Sequence, residues 1–243
     1  MKIGAINRSS ASPAAAVRDA DYVFICTPVR AVKDILKAIA PSLRRGCIVS
    51  DAASTKAEVM KWAKSLLPAG VNFIGGHPMA GKETSGIGVA EAGLFKGCTW
   101  CLAPGAGASR GSLQRLSALV RKLGARPLVI DPDRHDFLVA GISHLPFIMS
   151  SALVSAAAKD GAWTEMSRLA SSGFRDATRL ASGDSRLYTD ICLTNRKAIA
   201  SWLDRFSAEM ERFSRMIAKG DENLSGAFSD SAGARNRWLK NRR

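Results

Sequence analysis

The apolar positions of this chain fall into two regimes. Up to about residue 131, short apolar runs alternate with amphipathic stretches. Asp21–Thr27 (DYVFICT) is a short continuous run that stops at Pro28, as in a strand buried on both faces. Val32, Ile35, Leu36 and Ile39 then recur at helical spacing and end before Pro41. Cys47–Val49 predicts a second strand, and Val59, Trp62 and Leu66 a helix ending near Pro68. Val71–Ile74 predicts a third strand, and Thr99–Ala103 a fourth, closed by Pro104-Gly105. Leu113, Leu116, Leu119, Val120 and Leu123 lie on one helix face, capped by Gly124, and Pro127–Ile130 predicts a fifth strand. Strands separated by helices imply a parallel sheet with right-handed crossovers.

After Pro132 no convincing strand remains. Phe137–Ala158 is apolar and helical. From Asp190 to Ala218, the residues Ile191, Ile199, Trp202, Leu203, Phe206, Met210, Phe213 and Ile217 form one stripe of a long helix. Lys219–Gly233 is polar and reads as a short helix plus loop, and the final RNRWLKNRR as a frayed basic end. The predicted organisation is an α/β part over 1–131, an all-α part over 132–220 and a basic tail over 221–243.

Composition narrows the possibilities. The chain has 243 residues, 47% of them hydrophobic and 23% charged, which is ordinary globular protein. Its longest unbroken apolar run, Tyr22–Thr27, falls far short of the ~20 residues of a membrane span. Met1–Arg18 lacks the apolar core of a signal peptide, so a cytoplasmic location without membrane contact is the expectation. The net charge of +14 admits an anionic partner. The basic residues are spread along the chain with no nucleic-acid motif, so an anionic small molecule is favoured over nucleic acid. The five cysteines form no metal or disulfide framework, and Cys98-Thr99-Trp100-Cys101 reads as buried strand.

Three histidines carry the candidate chemistry. His77 lies in Gly75–Glu83 (GGHPMAGKE), placed just beyond the third strand, where glycines let backbone approach a ligand. The loop Asp51–Lys56 (DAASTK) leads into a helix with Ser54 or Thr55 as its N-cap, at the same sheet edge. In Ser171–Arg179 (SSGFRDATR), Arg175 and Arg179 share a helix face. One of them can pair with Asp176, which leaves the other to fork onto a carboxylate. His135-Asp136 opens a helix, where Asp136 suits the helix N-terminus better than catalysis. His144 precedes Leu145-Pro146, inside a helix that Pro146 should kink, and reads either as a core histidine or as a site residue. The histidines are not at metal-ligand spacing, so no metal is expected.

The run GGHPMAGKETSG, then HD-x4-GISHLP, then GFRD-x-TR, together with DADYVFICTPV and DAASTK, resembles the prephenate/arogenate dehydrogenases. The resemblance covers nearly the whole chain from about Gly4. It implies a Rossmann-type domain followed by a helical dimerisation domain, and a homodimer. It also implies oxidative decarboxylation of prephenate or arogenate in tyrosine biosynthesis, with hydride passing to NAD (NADP remaining open). By resemblance His77 and Ser54 are catalytic. Arg179, Glu83, His144, Asp176, Tyr188 and Gly173 bind substrate, and Thr27, Pro28, Asp51 and Ser54 meet the cofactor. Phe147 and Tyr188 depart from the histidine and tryptophan common in the family. No G-x-G-x-x-G occurs, so the Rossmann-type sheet reads as incomplete, without its first βαβ unit. Two readings of that gap stay open: an enzyme whose sequence begins late, or an impaired, non-catalytic dimer that binds a metabolite.

Overall fold

The computed structural model describes residues 6–81 and 86–241. The chain divides into two compact units, Met1–Ile199 and Ala200–Arg243.

The first unit opens with helix α1 (Pro13–Val17), strand β1 (Tyr22–Ile25) and helix α2 (Val29–Ile39). Strand β2 (Ile48–Asp51), helix α3 (Ala57–Leu66), strands β3 (Asn72–Pro78) and β4 (Thr99–Pro104), helix α4 (Arg110–Lys122) and strand β5 (Arg126–Val129) follow. The five strands lie side by side in the order of the sequence. Alternate residues of each buried strand feed opposite faces of the sheet. Val49 and Phe73 join Val32, Leu36 and Val59 under α2 and α3, whereas Ile48 and Ile74 join Leu102, Leu116 and Val120 under α4. Local signals behave as expected at α4. The Ser109 hydroxyl accepts from the backbone N–H of Ser112 at 3.1 Å, and Gly124 takes the left-handed conformation, φ +81, that ends the helix.

Three expectations are corrected here. The sheet is not all parallel: β3 and β4 pair antiparallel, with His77 opposite Cys101, while β4 and β5 are parallel. Between β3 and β4 the described residues hold only a short 3-10 turn at Ile87–Val89, and without a crossover helix the chain turns back. β3 also runs through His77-Pro78, so the histidine stands on a strand and not in a loop. The glycines before it serve packing. A Cβ on Gly76 would collide with the Asp51 carbonyl and come 2.8 Å from Ser50 Oγ, so glycine is what lets β3 pass the end of β2.

Helix α5 (Pro132–Val139) passes through one π-helical turn, Ala140–His144, into helix α6 (Leu145–Ala158). Leu145 donates to the Ala140 carbonyl, five residues back. Pro146, which has no N–H, therefore sits in the first turn of α6, and the expected kink is a π turn just ahead of it. The run Pro132–Ala158 is long and apolar enough by length and composition to cross a membrane, with mean hydropathy 1.8, although no unbroken apolar stretch in the sequence suggests it. It also carries the buried polar residues His135, Asp136 and His144. Helices α7 (Trp163–Leu169), α8 (Ser172–Thr178) and α9 (Ser185–Thr194) complete the unit.

The predicted long helix is broken at Asn195, where α9 ends and α10 (Arg196–Ala218) begins. In the second unit, α10 continues to helix α11 (Leu224–Lys240), which replaces the predicted frayed end. Phe213 stacks on Phe228 with centroids 5.5 Å apart. Met210, Ile217, Phe228 and Trp238 are exposed, so the apolar stripe of this hairpin is not buried within the chain.

Candidate active site

The site is built where β2, β3 and α5 meet. Asp51 ends β2 and is fully buried. Its Oδ1 accepts from the Gly76 N–H and its Oδ2 from the Ala53 N–H, both at 3.0 Å, and the Lys56 ammonium closes on Oδ2 as a buried ion pair. Every side of this carboxylate is thus taken by protein. It braces the DAASTK loop from beneath.

Helix α3 has no cap of its own. Neither Ser54 nor Thr55 caps it, since Lys56 is the N-cap residue and makes no side-chain cap. The Thr55 hydroxyl instead lies 2.9 Å from that of Thr194 on α9. The cap comes from Asp136, on α5. Its Oδ1 accepts from the Lys56 N–H at 2.7 Å and its Oδ2 from the Ala57 N–H at 2.9 Å. An acid does match a helix N-terminus, but that of α3, because Asp131 already caps α5 by accepting from Arg134 N–H.

The same Asp136 anchors a row of imidazoles. Asp136 Oδ1 lies 2.8 Å from His135 Nδ1, and His135 Nε2 lies 2.9 Å from His77 Nδ1. His135 and Asp136 are buried, whereas His77 is partly exposed. Asn195 donates to the Asp136 carbonyl at 2.8 Å and faces His144 Nδ1 at 3.3 Å. An amide N–H can only donate, so His144 Nδ1 accepts and its proton sits on Nε2. Burial pushes the His144 imidazole down to about 4. Burial, then His135, Lys56 and His144, hold His77 well below the usual histidine range. His77 and His144 are thus neutral near pH 7, not cations.

Further out, Thr27, Pro28, Ala53, Ser54, Leu187 and Ile191 line a cavity of about 230 Å³ beside the ends of β1 and β2. The Thr27 hydroxyl is buried there without a hydrogen-bond partner. Phe147, one turn after His144, stacks face to face on Tyr188 at 3.4 Å. Gly183 makes that stack possible, since a Cβ there would come 2.7 Å from the Tyr188 ring. Ser150 accepts from the Ala181 N–H at 3.1 Å and donates to the Ala177 carbonyl at 3.0 Å, fastening the segment that carries Arg179 onto α6. Arg175 pairs with Asp176 at 3.3 Å on the solvent side of α8, where Gly173 is also exposed. Glu83 lies outside the described residues. Among the described residues, no group of His, Cys, Asp or Glu is arranged to hold a metal ion.

The structure therefore brings His77, His144 and the Ser54 loop toward one region and adds His135, Asp136 and Asn195, to which the sequence reading gave no site role. The one sequence signal was the His135-Asp136 pair at the start of the long apolar helical run, and Asn195 carried none.

Fold and site together define an α/β sheet protein with a helical second half and a buried imidazole row at their junction. The profile of the prephenate dehydrogenase nucleotide-binding domain matches residues 1–129, and that of the prephenate dehydrogenase dimerization domain matches residues 131–229. The chain belongs to the prephenate dehydrogenase family. It is 32% identical over 231 residues to a prephenate dehydrogenase of Bacillus subtilis, covering 94% of this chain and 62% of that protein. It is 33% identical over 223 residues to a cyclohexadienyl dehydrogenase of Zymomonas mobilis, covering 90% of this chain and 76% of that protein. The solved Synechocystis arogenate dehydrogenase is 32% identical, with a TM-score of 0.81 over 91% of this chain and 80% of that one. The prephenate dehydrogenase of A. aeolicus, solved with hydroxyphenyl propionate and NAD+, is 25% identical, with a TM-score of 0.90 over 97% of this chain and 83% of that one.

Proposed function

We propose that this chain oxidises prephenate or arogenate with loss of CO2, using NAD, and that His77 handles the substrate hydroxyl. The observation that carries this reading is the state of His77: it stands on a strand end, is partly exposed, is held neutral, and has its Nδ1 engaged by His135. Nε2 is then left for a hydroxyl proton. Family membership supports the reaction class, and the relative solved with NAD+ supports the cofactor.

In this reading the carbinol carbon loses hydride, the bond to the ring carboxylate breaks, and its electron pair completes the aromatic ring. When bound, the nicotinamide supplies the hydride acceptor. The hydroxyl proton is shared with His77 and returns to the phenol oxygen, so no net proton is lost. Ser54 lies in the same loop region and orients the hydroxyl. Arg179 takes the side-chain carboxylate, with Tyr188 and Phe147 as an apolar wall. Thr27 and Pro28 would hold the nicotinamide end, and the unpartnered Thr27 hydroxyl fits a carboxamide. The exposed stripe of α10 and α11 (Met210, Ile217 and Phe228) is the surface for a homodimer, in keeping with the dimerization-domain match.

The test is an assay of NADH formation with prephenate and with arogenate. His77→Asn should lower kcat about 100-fold or more, and Arg179→Ala should raise KM with a smaller effect on kcat. Wild-type kinetics in both variants, or no oxidation of either substrate, would overturn the reading.

A further inference from the structure

The imidazole row has a direction that follows from which atoms can give protons. Asp136 is a carboxylate that already accepts two backbone N–H bonds, from Lys56 and Ala57. Both of its oxygens are thus acceptors, so the 2.8 Å contact to His135 is a bond donated by His135 Nδ1. A His135 ring that carries one proton has it on Nδ1, so its Nε2 is bare and can only accept. The 2.9 Å contact across to β3 is therefore donated by His77 Nδ1. With its single proton on Nδ1, His77 presents a lone pair at Nε2. A free imidazole in water prefers the opposite arrangement, so the tautomer is imposed by a residue 58 positions away.

We propose that His135, backed by Asp136, is the positioning residue that fixes His77 as an Nε2 base and accepts the His77 Nδ1 proton when Nε2 is loaded. As the hydroxyl proton bonds to Nε2, the Nδ1–H bond breaks and that proton moves to His135 Nε2. The resulting imidazolium lies against the Asp136 carboxylate. When the proton returns to the phenol oxygen, both transfers reverse, and nothing is gained or lost. The groups facing His77 favour this hand-off. Lys56 from the β2–α3 loop, His144 from the π turn and His135 from α5 all disfavour a cation on His77 itself, and neutral Cys101 lies opposite on β4. At His135, by contrast, a positive charge meets a carboxylate, and the N-terminus of α3 holds that carboxylate in place. The inference rests on the reaction proposed above for the proton's source, but the tautomer assignment does not.

Only three histidines occur in the chain, so ¹⁵N-histidine labelling and long-range ¹H–¹⁵N correlation resolve every ring in the protein without cofactor. In the wild type, His77 and His135 should carry their protons on Nδ1 and His144 on Nε2. In His135→Phe, His77 should move largely to the Nε2–H form, and kcat should fall about 100-fold with KM little changed. In His135→Gln, whose amide oxygen can still accept from His77 Nδ1, the tautomer should be kept while kcat falls because the proton has nowhere to go. A wild-type His77 with its proton on Nε2, or a His77 tautomer unaltered in His135→Phe, overturns the proposal. Should His135→Phe fail to fold, the wild-type and His135→Gln spectra still decide. Correct tautomers in a chain that oxidises neither substrate would support the positioning role and reject the proposed reaction.

Discussion

The Asp51–Lys56 pair makes a strong and specific prediction about stability. Both side chains are fully buried, and Asp51 also accepts the Ala53 and Gly76 N–H bonds. Lys56→Met removes the cation and leaves a carboxylate out of water with only two backbone donors. Removing one partner of such a pair costs about 3–5 kcal/mol. Asp51→Asn leaves the opposite fault, a buried amine that has lost its ion-pair partner. Burial already opposes the charged form of Lys56, so that amine sheds its proton, and the loss is about 3 kcal/mol. In the double variant no unpaired charge remains. The substituted carboxamide can accept one of the two N–H bonds through its oxygen, so the cost falls to one orphaned donor, about 1–3 kcal/mol. The singles therefore sum to about 6–8 kcal/mol against about 1–3 for the double, a coupling of at least about 3 kcal/mol. Urea unfolding of the four proteins, followed by circular dichroism at one fixed protein concentration, measures the cycle. If the double variant lost as much as the two singles added together, the pair would not be the interaction described here.

Three further outcomes follow from the site. His144 titrates near 4 in the folded chain, chiefly through burial, against about 6.5 when unfolded. The unfolded chain binds the extra proton, so this contribution is fully present above pH 6.5 and is lost, by about 3 kcal/mol, as pH falls to 4. His144→Gln should remove that part of the acid sensitivity, and an unfolding free-energy difference from wild type that stayed constant between pH 7 and 4 would refute it. Asp136→Ala orphans the N–H groups of Lys56 and Ala57 and the His135 ring, and should cost about 3–5 kcal/mol. Asp136→Asn, which keeps one cap, should cost clearly less, and equal losses in urea unfolding would contradict the trans-cap. Gly76→Ala drives a methyl into the Asp51 carbonyl and toward Ser50 Oγ and Trp100 Nε1, so β2 and β3 must separate. Its melting temperature should drop by at least about 5 °C, and a wild-type value would show the approach to be softer than the geometry requires.

The sequence by itself located the five strands and helices α2, α3 and α4 of the first 131 residues, because apolar spacing and Pro/Gly punctuation are set by near neighbours in the chain. It also supplied the family motifs, with His77, Ser54 and Arg179 among them. The tertiary structure decided the rest, in each case through a partner distant in sequence. The direction of β4 depends on what joins it to β3, and the absence of helical periodicity between 79 and 98 was a signal that could have been read. The break at Asn195 interrupts no hydrophobic stripe. It exists because the Asn195 amide is needed by the Asp136 carbonyl and His144, 59 and 51 residues away. The cap of α3 comes from Asp136, 80 positions beyond Lys56. The protonation of His77 likewise depends on His135, which local spacing assigned to an ordinary helix start. Periodicity records which side of an element is buried. Only chain closure determines which donor finds which acceptor on that side, and in this protein those pairings set the chemistry of the histidine.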